Sequence, residues 1–430
     1  MRFMRAIIRE KTQKGYNRAM LTRLPILHQT LLHQIDKQAA TLGLAAYLVG
    51  GGVRDLILRL PVLDLDIVIE GDAIQLANAL SSKYGGALTT HTKFRTATWQ
   101  PPEGPPLDLI TARRETYRAP AALPDVSPST LADDLARRDF SINTLALRLS
   151  DSSLIDMHHG QADLERGLIR VLHPRSFIDD PTRLYRAVRY ETRYGFKLTP
   201  ETLALIPAAL PLVERLTAER LRHELDLAFH ETRPVRVLSR MAELGLLQAI
   251  LEDVLPWDSD LAKQLDSALV VHPAPEWGLG LTFSGQPLNL VLGYAVWLSC
   301  LHVSQIALTH ERLTFPLTVL KNAQAVSALL AELPVLAGSS PSAWVRHLTD
   351  VPLAALYATH LISGEDAIKR YVTDWQHIHP KTDGDALKAL GLTPGPRYAE
   401  ILWQLRAAWL DGLVTSAEEE GVLLQTIFKS

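Results

Sequence analysis

An α+β fold is predicted for this chain of 430 residues, with a small mixed sheet in its first part and helices throughout the remainder. Patterns typical of strands and of helices alternate over roughly the first 150 residues. After about residue 160 the strand patterns fade, and segments rich in leucine and alanine at helical spacing continue to the C-terminus. The length allows about two to four domains.

The predicted elements of the first part surround a glycine-rich turn. Apolar residues at helical spacing predict a helix that ends at Gly43, a plausible C-cap. Three glycines, Gly50 to Gly52, follow the first strand and open a short helix near Val53. The patterns predict helices over residues 23–43, 72–84 and 398–414 and strands over 47–49, 65–69, 87–99 and 107–111.

Composition narrows the function classes. The net charge of −3 gives no overall support for nucleic-acid binding, so any such surface must be local. The single cysteine, Cys300, excludes disulfide scaffolds and multi-cysteine zinc sites, and it favours a reducing compartment. No apolar run is expected to reach the length of a membrane span, and the basic N-terminal segment lacks the apolar core of a secretion signal. A cytoplasmic protein without membrane contact is therefore expected, and no protein partner is implied.

The glycine turn predicts an anion site. Glycines allow the backbone to approach a ligand closely, and successive N–H groups at the start of a helix can bind a triphosphate. Gly51 and Gly52 are therefore candidate nucleotide-binding residues. Arg54, two residues further on, is expected to hold the loop or the phosphates, although Arg54 and Asp55 could also be an ordinary pair at a helix start.

A carboxylate pair follows this turn. Asp64 and Asp66 lie two apart at the start of a predicted strand, so their side chains point to the same face and repel one another. A divalent ion with hard oxygen ligands, such as Mg²⁺, would relieve that repulsion. Asp108, on another predicted strand, is the candidate third carboxylate, for a second ion or the attacking hydroxyl. A solvated turn is the alternative for Asp64 and Asp66, but a phosphate site beside a carboxylate pair favours metal-assisted nucleotidyl transfer.

A second cluster of polar residues lies in the segment 136–143. Arg137 and Arg138, followed by Asp139 and Asn143, offer donors and acceptors for phosphates and sugar hydroxyls. The alternative is a charged helix end that Asp139 caps.

A third cluster suggests how a base could be read. Pro181 suits the first turn of a helix with Asp180 as its N-cap, which places Asp180 beside Arg183. A carboxylate beside a guanidinium matches the exocyclic amine and ring acceptors of C or A and rejects G and U. The alternative is a plain N-cap with a salt bridge. Three arginines at spacings of three and four then make one basic helix face suited to a triphosphate or RNA backbone, namely Arg186, Arg189 and Arg193. The alternative is a solvated charged face.

Several of these motifs, in this order, resemble one family. The stretches are LVGGGVRDLIL with DLDIVIE, LARRDFSINTLAL, IDMHHGQADLERGLIRVL, FIDDPTRLYRAVRYETRYGF and ERLRHEL. Together they cover roughly residues 45–230. The chain resembles the class II tRNA nucleotidyltransferases of the DNA polymerase beta superfamily, which include CCA-, CC- and A-adding enzymes and bacterial poly(A) polymerases.

The resemblance implies a DNA polymerase beta-like nucleotidyltransferase head on a small mixed sheet, followed by a helical neck, body and tail. The matching domains are residues 1–158 for the catalytic head, 159–255 for the neck that reads the base, and 256–430 for the body and tail that bind tRNA. The resemblance implies that Asp64 and Asp66 bind the catalytic Mg²⁺ and that Asp180 and Arg183 read the base. Arg137, Arg138, Asp139 and Asn143 would contact the ribose and phosphates of the incoming nucleotide.

The implied activity is template-independent transfer of CMP and/or AMP from CTP or ATP to the 3′ end of tRNA. The segment 113–135 lacks the flexible-loop pattern of many enzymes that complete CCA, so the product could be CCA, only CC or only A. Poly(A) polymerase activity on other RNA ends and a catalytically silent RNA-binding relative are the alternatives.

Overall fold

The structure is a computed structural model that describes residues 20–62, 64–252, 254–270, 272–393 and 395–429. The chain forms two compact units, of which the first ends at Leu216 and the second begins at Thr217. The basic N-terminal extension lies outside the described residues. The domain boundaries expected at 158/159 and 255/256 stay predictions.

A mixed sheet organises the first unit, as predicted. Within the described residues it has seven strands, which are β1 (Ala45–Val49), β2 (Asp66–Glu70), β3 (Ala87–His91), β4 (Thr96–Gln100), β5 (Leu107–Thr111), β8 (Leu145–Arg148) and β9 (Leu154–Asp156). Their order across the sheet is β3-β4-β5-β2-β1-β8-β9. Strands β2 and β5 are paired in parallel, and the other pairs of this sheet are antiparallel.

Short helices and two small strand pairs complete the first unit. The two pairs are β6 (Arg113–Thr116) with β7 (Asp125–Pro128), which is antiparallel, and β10 (Leu168–Ile169) with β11 (Lys197–Leu198), which is parallel. The helices are α1 (Ile26–Thr41), α2 (Gly51–Leu58), α3 (Ala73–Tyr84), α4 (Leu131–Ala136), α5 (Gly160–Arg166), α6 (Ser176–Asp179), α7 (Thr182–Tyr194), α8 (Pro200–Leu203) and α9 (Ile206–Ala209), with 3-10 helices over Ser141–Asn143 and Leu210–Arg215.

The two faces of the large sheet are covered differently. Alternate strand residues such as Leu48, Ile67 and Leu109 are fully buried on the face that α1 and α3 cover. On the opposite face, Val68 packs in one cluster with Leu135 of α4. Asp66 lies two residues before Val68 and therefore points to this second face.

The predicted strand over residues 87–99 is a β-hairpin. Strands β3 and β4 pair in antiparallel fashion, with Ala87 opposite Gln100 and His91 opposite Thr96. Arg95, in the turn between them, has a φ of +52°, which a non-glycine residue rarely adopts. The threonine-rich run 87–99 carries no glycine or proline at this turn, so its pattern did not separate the two strands.

The second unit is mainly helical. Its short strands β12 (Thr282–Phe283) and β13 (Gln286–Pro287) form one antiparallel pair, and 3-10 helices span Pro275–Trp277 and Trp375–His377. Its helices are α10 (Ala218–Phe229), α11 (Pro234–Glu243), α12 (Ser259–Val270), α13 (Leu288–Trp297), α14 (Val303–Leu313), α15 (Leu317–Leu336), α16 (Pro341–Leu348), α17 (Leu353–Ser363), α18 (Asp366–Thr373), α19 (Gly384–Ala389), α20 (Pro396–Leu410) and α21 (Ala417–Lys429).

The helix predicted near the C-terminus ends earlier than expected, and a further helix follows it. The helix predicted over 398–414 ends at Leu410, which leaves Leu413 outside it and 77% exposed. A further helix, α21, follows it. Its acidic first turn and internal Gly421 obscure the apolar pattern. The buried carboxylate of Glu420 stabilises α21 by accepting hydrogen bonds from the backbone N–H groups of Lys381 and Thr382 at 2.8 and 2.6 Å.

The expectation that no apolar segment reaches the length of a membrane span was also wrong on length and composition. In the described part of the chain, α15 is 20 residues long and apolar enough to cross a membrane, and 33% of its most apolar stretch is buried. A single such helix is weak support for a membrane span, because core helices of soluble proteins share these properties. Pro334 lies inside α15, in its last turn, and α15 packs against α13 and α17.

Candidate active site

The parallel pairing of β2 with β5 places Asp66 directly opposite Asp108, as predicted. Both side chains therefore lie on the sheet face that α4 partly covers. Asp66 is half-buried, whereas Asp64 and Asp108 are exposed. The structure thus brings two predicted carboxylates together from strands that are about forty residues apart in the sequence.

The charges around Asp66 leave its ionised form poorly stabilised. Burial raises the pKa of Asp66, the positive charge of Arg138 lowers it, and the negative charges of Asp108 and Asp64 raise it further. The net effect is a raised pKa, so a cation bound here would stabilise the carboxylates.

The carboxylates near Asp66 do not by themselves form a complete metal site. Among the residues that the structure describes, no three His, Cys, Asp or Glu side chains are grouped so that they could hold a metal ion. Mg²⁺ differs from ions that need a complete protein cage, because one or two carboxylates, several waters and substrate phosphates commonly complete its shell. Asp64 and Asp66 could supply those carboxylates.

The glycine turn lies between β1 and α2. Gly50 has a φ of +67°, and a Cβ at this position would overlap Nη1 of Arg138. Gly52 is buried, and a Cβ there would lie 3.3 Å from Leu48 and 3.4 Å from the carbonyl oxygen of Asp64. Glycine at position 50 therefore allows the backbone and the guanidinium of Arg138 to approach closely.

Arg54 holds this loop together. Its Nη1 donates to Oδ1 of Asn143 at 2.6 Å, and its Nε donates to Oδ1 of Asp55 at 2.8 Å. The guanidinium also lies 4.8 Å from the ring centre of Tyr194 and 5.4 Å from that of Tyr190 on α7. Arg54 thus links α2 to two other segments. Its predicted contact with phosphates stays a prediction.

Arg137 and Arg138, which follow the last residue of α4, both bind the buried carboxylate of Asp134. Asp134 accepts from Arg137 at 2.7 and 2.9 Å through Oδ1 and from Arg138 at 3.1 Å through Oδ2. Nη1 of Arg137 also donates to Oε1 of Glu115 at 3.0 Å. Nε of Arg138 is buried and has no hydrogen-bond partner among the described residues.

Asp134 and Glu115 are site residues that the sequence interpretation missed. Asp134 precedes the arginines by three and four positions, a helical spacing that could have revealed it. Glu115 lies on β6, more than twenty residues before Arg137. No local pattern could have paired those two residues.

Asp139 joins the segment after α4 to α7. Its Oδ1 accepts from Asn143 Nδ2 at 2.9 Å, and its Oδ2 accepts from Arg186 at 2.7 and 2.8 Å. Burial alone would raise the pKa of Asp139, but Arg186 and Asn143 outweigh it and hold the pKa at about 2. Asp139 and Asn143 are therefore fixed to protein partners, and their predicted contacts with the nucleotide stay predictions.

The proposed base-reading residues lie at the start of α7. This helix begins at Thr182, one residue later than predicted, and Oδ1 of Asp180 accepts from the backbone N–H of Thr182 at 3.0 Å. Arg183 is buried, and it donates to Ser176 Oγ at 2.8 Å and to the Arg137 carbonyl at 2.7 Å.

Tyr117, in the segment between β6 and β7, belongs to the same neighbourhood. Burial and the negative charge of Glu115 raise the pKa of Tyr117 to about 12, and the charges of Arg183 and Asp180 also act on it, in opposite directions. The hydroxyl of Tyr117 donates to Oε2 of Glu115 at 3.1 Å. The β6–β7 hairpin therefore contacts Arg137 through Glu115 and lies near the predicted base-reading residues.

The predicted basic face of α7 packs around an aromatic ring. The guanidinium carbons of Arg186, Arg189 and Arg193 lie 5.7, 5.9 and 5.9 Å from the ring centre of Tyr190. Arg189 is only 3% exposed, so it lies inside the protein and not on a solvated charged face. The roles of Arg186 and Arg189 toward a nucleotide stay predictions.

Comparison with known proteins places this geometry in context. A family model described as "Poly A polymerase head domain" matches residues 46–170, and one described as "Probable RNA and SrmB- binding site of polymerase A" matches residues 195–257. The A-adding tRNA nucleotidyltransferase of Halalkalibacterium halodurans is 34% identical over 409 residues, which cover 91% of each chain. The CC-adding tRNA nucleotidyltransferase of Deinococcus radiodurans is 35% identical and covers 88% of each chain.

A solved structure shares the fold of nearly the whole chain. The Thermotoga maritima CCA-adding enzyme complexed with tRNA matches 96% of this chain and 97% of its own, with a TM-score of 0.74 and 26% identity. The matched head domain and the mixed sheet define the class, a nucleotidyltransferase with a head of the poly(A) polymerase type. The similarity over 91% of both chains is more specific: this chain belongs to the tRNA nucleotidyltransferase family.

Because a Cβ at Gly50 would overlap the guanidinium of Arg138, Gly50→Ala is expected to displace Arg138 from the carboxylates. A misplacement of about 1 Å can cost about 100-fold in rate. We expect a loss of about 10- to 100-fold in nucleotide incorporation into tRNA, measured under single-turnover conditions. Gly43→Ala is the matched control, because Gly43 has a similar φ of +71° but nothing within 4 Å of its Cβ position. If both variants lost the same amount of incorporation activity, the overlap between a Cβ at Gly50 and the guanidinium of Arg138 would not be the cause.

Proposed function

We propose that this protein transfers AMP and/or CMP from ATP or CTP to the 3′ end of tRNA and releases pyrophosphate. The observation that supports it best is the pair Asp66 and Asp108 on neighbouring strands beside a glycine turn and Arg138. A nucleic-acid template is not required, because protein side chains would select the base. A cytoplasmic location agrees with this activity and remains part of the proposal.

Asp64 and Asp66 would hold Mg²⁺. When bound, Mg²⁺ lowers the pKa of the attacking 3′-hydroxyl and neutralises charge on the departing pyrophosphate. Asp108 lies beside this pair and would support the ion or orient the attacking hydroxyl. Because the pKa of Asp66 is raised, protons compete with the ion for this carboxylate. Metal affinity should therefore increase as the pH rises through the pKa of Asp66.

The phosphates would lie against the glycine turn and the arginines. Backbone N–H groups at Gly51 and Gly52, at the start of α2, would donate to phosphate oxygens. The buried Nε of Arg138 has no hydrogen-bond partner among the described residues, so protein groups do not use all the donors of this guanidinium. Other residues proposed to contact the ribose and phosphates are Arg54, Arg137, Asp139, Asn143, Arg186 and Arg189.

The base would be read by Asp180 and Arg183. The guanidinium of Arg183 is already oriented by Ser176 Oγ and the Arg137 carbonyl, so little reorganisation would be needed when a nucleotide binds. Arg137 connects the two functions, because its side chain belongs to the proposed phosphate site and its carbonyl holds Arg183. The helical body and tail are proposed to bind the remainder of the tRNA.

The product class can be read directly. We expect purified protein with Mg²⁺ to extend tRNA when offered transcripts that lack the whole CCA end, the last two nucleotides or only the final A. Product length with each nucleoside triphosphate alone separates CCA-, CC- and A-addition. Long adenosine tails on unrelated RNA ends would instead support a poly(A) polymerase. The absence of nucleotide incorporation with every transcript would refute the proposed activity.

Asp64→Ala and Asp66→Ala should each reduce incorporation about 1,000-fold or more, since loss of metal-based charge stabilisation costs several kcal/mol. Circular dichroism and thermal unfolding should match those of the unchanged protein. The control is Asp125→Asn on β7, which alters an exposed ion pair with Arg118. This variant should keep its activity. Full activity of either alanine variant would refute the metal assignment.

Arg183→Ala should relax the discrimination against UTP and GTP by about 10-fold or more. In the unchanged protein those bases would leave the guanidinium of Arg183 unpaired, and the variant has no such donor. The measurement is the ratio of kcat/KM values for the four nucleotides. Arg183 is buried, so Ser176→Ala provides a milder variant that removes one of its anchors and should shift the ratio in the same direction. An unchanged nucleotide preference in both would favour a plain helix start.

A further inference from the structure

Three polar residues form a row across three neighbouring strands. Thr98 on β4 lies opposite Asp108 on β5, and Asp108 lies opposite Asp66 on β2. Directly paired residues point to the same face of a sheet, so the threonine hydroxyl and the two carboxylates share one face. The Thr98 hydroxyl donates a hydrogen bond of 2.7 Å to Oδ1 of Asp108.

This hydrogen bond acts on a carboxylate that is otherwise free to rotate. Asp108 is exposed and lies next to the like charge of Asp66, so repulsion favours side-chain orientations that turn away from the sheet. A hydroxyl that holds one oxygen opposes this rotation. Thr98 lies on the side of Asp108 away from β2, and the hydrogen bond engages only Oδ1 of Asp108.

The anchor for this hydroxyl is rigid. On the other face of β4, the neighbours of Thr98 are buried, with Ala97 1% exposed and Trp99 0% exposed. The indole Nε1 of Trp99 donates to the carbonyl of Gly85 at 2.9 Å. The backbone at Thr98 is therefore fixed by packing that does not involve the carboxylates.

We propose that Thr98 is a positioning residue, whose hydroxyl orients Asp108 so that the negative charge of Asp108 stays beside the divalent ion proposed to bind at Asp64 and Asp66. This inference rests on the proposed function. Groups that orient metal ligands commonly change metal affinity or activity by about 10- to 100-fold when removed. Thr98 contacts no reacting atom in this scheme and acts only through Asp108.

The test compares Thr98→Val, which keeps the shape but lacks the hydroxyl, with Thr98→Ser, which keeps the hydroxyl. Mn²⁺ binding to the full chain is measured by electron paramagnetic resonance with a non-hydrolysable ATP analogue. Half-saturation by Mg²⁺ is measured in the incorporation assay. Thr98→Val should bind Mn²⁺ about 10-fold more weakly and require about 10-fold more Mg²⁺, and Thr98→Ser should restore both values.

A matched control removes a hydroxyl from the next strand. Thr89 on β3 is exposed and lies opposite Thr98, so Thr89→Val should leave Mn²⁺ binding and incorporation unchanged. In a double-mutant cycle, Thr98→Val should add no further loss to Asp108→Ala, because Thr98 acts through Asp108 and alanine removes the acceptor of its hydrogen bond. Additive losses, or a valine variant with normal Mn²⁺ affinity, would overturn the inference.

Failure of this inference can be separated from failure of the proposed function. If Asp66→Ala is inactive and Thr98→Val behaves like the unchanged protein, the proposed function stands and the role of Thr98 is wrong. If the unchanged protein incorporates no nucleotide, the Mn²⁺ affinities of the valine and serine variants still decide whether Thr98 orients Asp108.

Discussion

The repulsion between Asp66 and Asp108 is the constraint around which the first unit is arranged. In the described residues of the large sheet, β2 and β5 form the one parallel pair, and their register sets the two carboxylates side by side. The surrounding groups limit the cost of this arrangement. Arg138 supplies positive charge, Thr98 holds one oxygen, and Gly50 leaves space for the guanidinium. Each of these groups offsets only part of the repulsion between the carboxylates, which agrees with the proposed binding of a cation and a triphosphate.

Carboxylates orient most of the arginines at this site before any substrate is present. Arg137 and Arg138 share Asp134, and Arg186 binds Asp139. Donors that are already oriented need little reorganisation when charge develops on a substrate. The same contacts connect separate segments of the chain, because Arg137 also binds Glu115 of the hairpin and accepts a hydrogen bond from Arg183. The proposed phosphate site and the proposed base-reading site are therefore parts of one network.

Local patterns predicted much of the fold and the identities of many candidate residues. Helical spacing located α1 and α3, and the glycine turn located the start of α2. Patterns failed where no local signal exists. The β3–β4 turn has no glycine or proline, and the acidic start of α21 hides its apolar face. The burial of Arg189 could not be predicted either, because helical spacing places it on a basic face but does not show that it packs beside Tyr190.

The sequence by itself determined the chemistry that the site can offer. Glycines, paired carboxylates and an Asp–Arg pair at a helix start specify a nucleotidyltransferase, because those residue types act through local spacing that a single chain displays. Only the tertiary structure decided which residues meet. The register that joins Asp66 to Asp108, the hydroxyl of Thr98 on Oδ1 of Asp108, and the contact of Glu115 with Arg137 all depend on pairing between distant segments. Such pairings follow from how the whole sheet and its helices pack, and spacing along the chain does not record them.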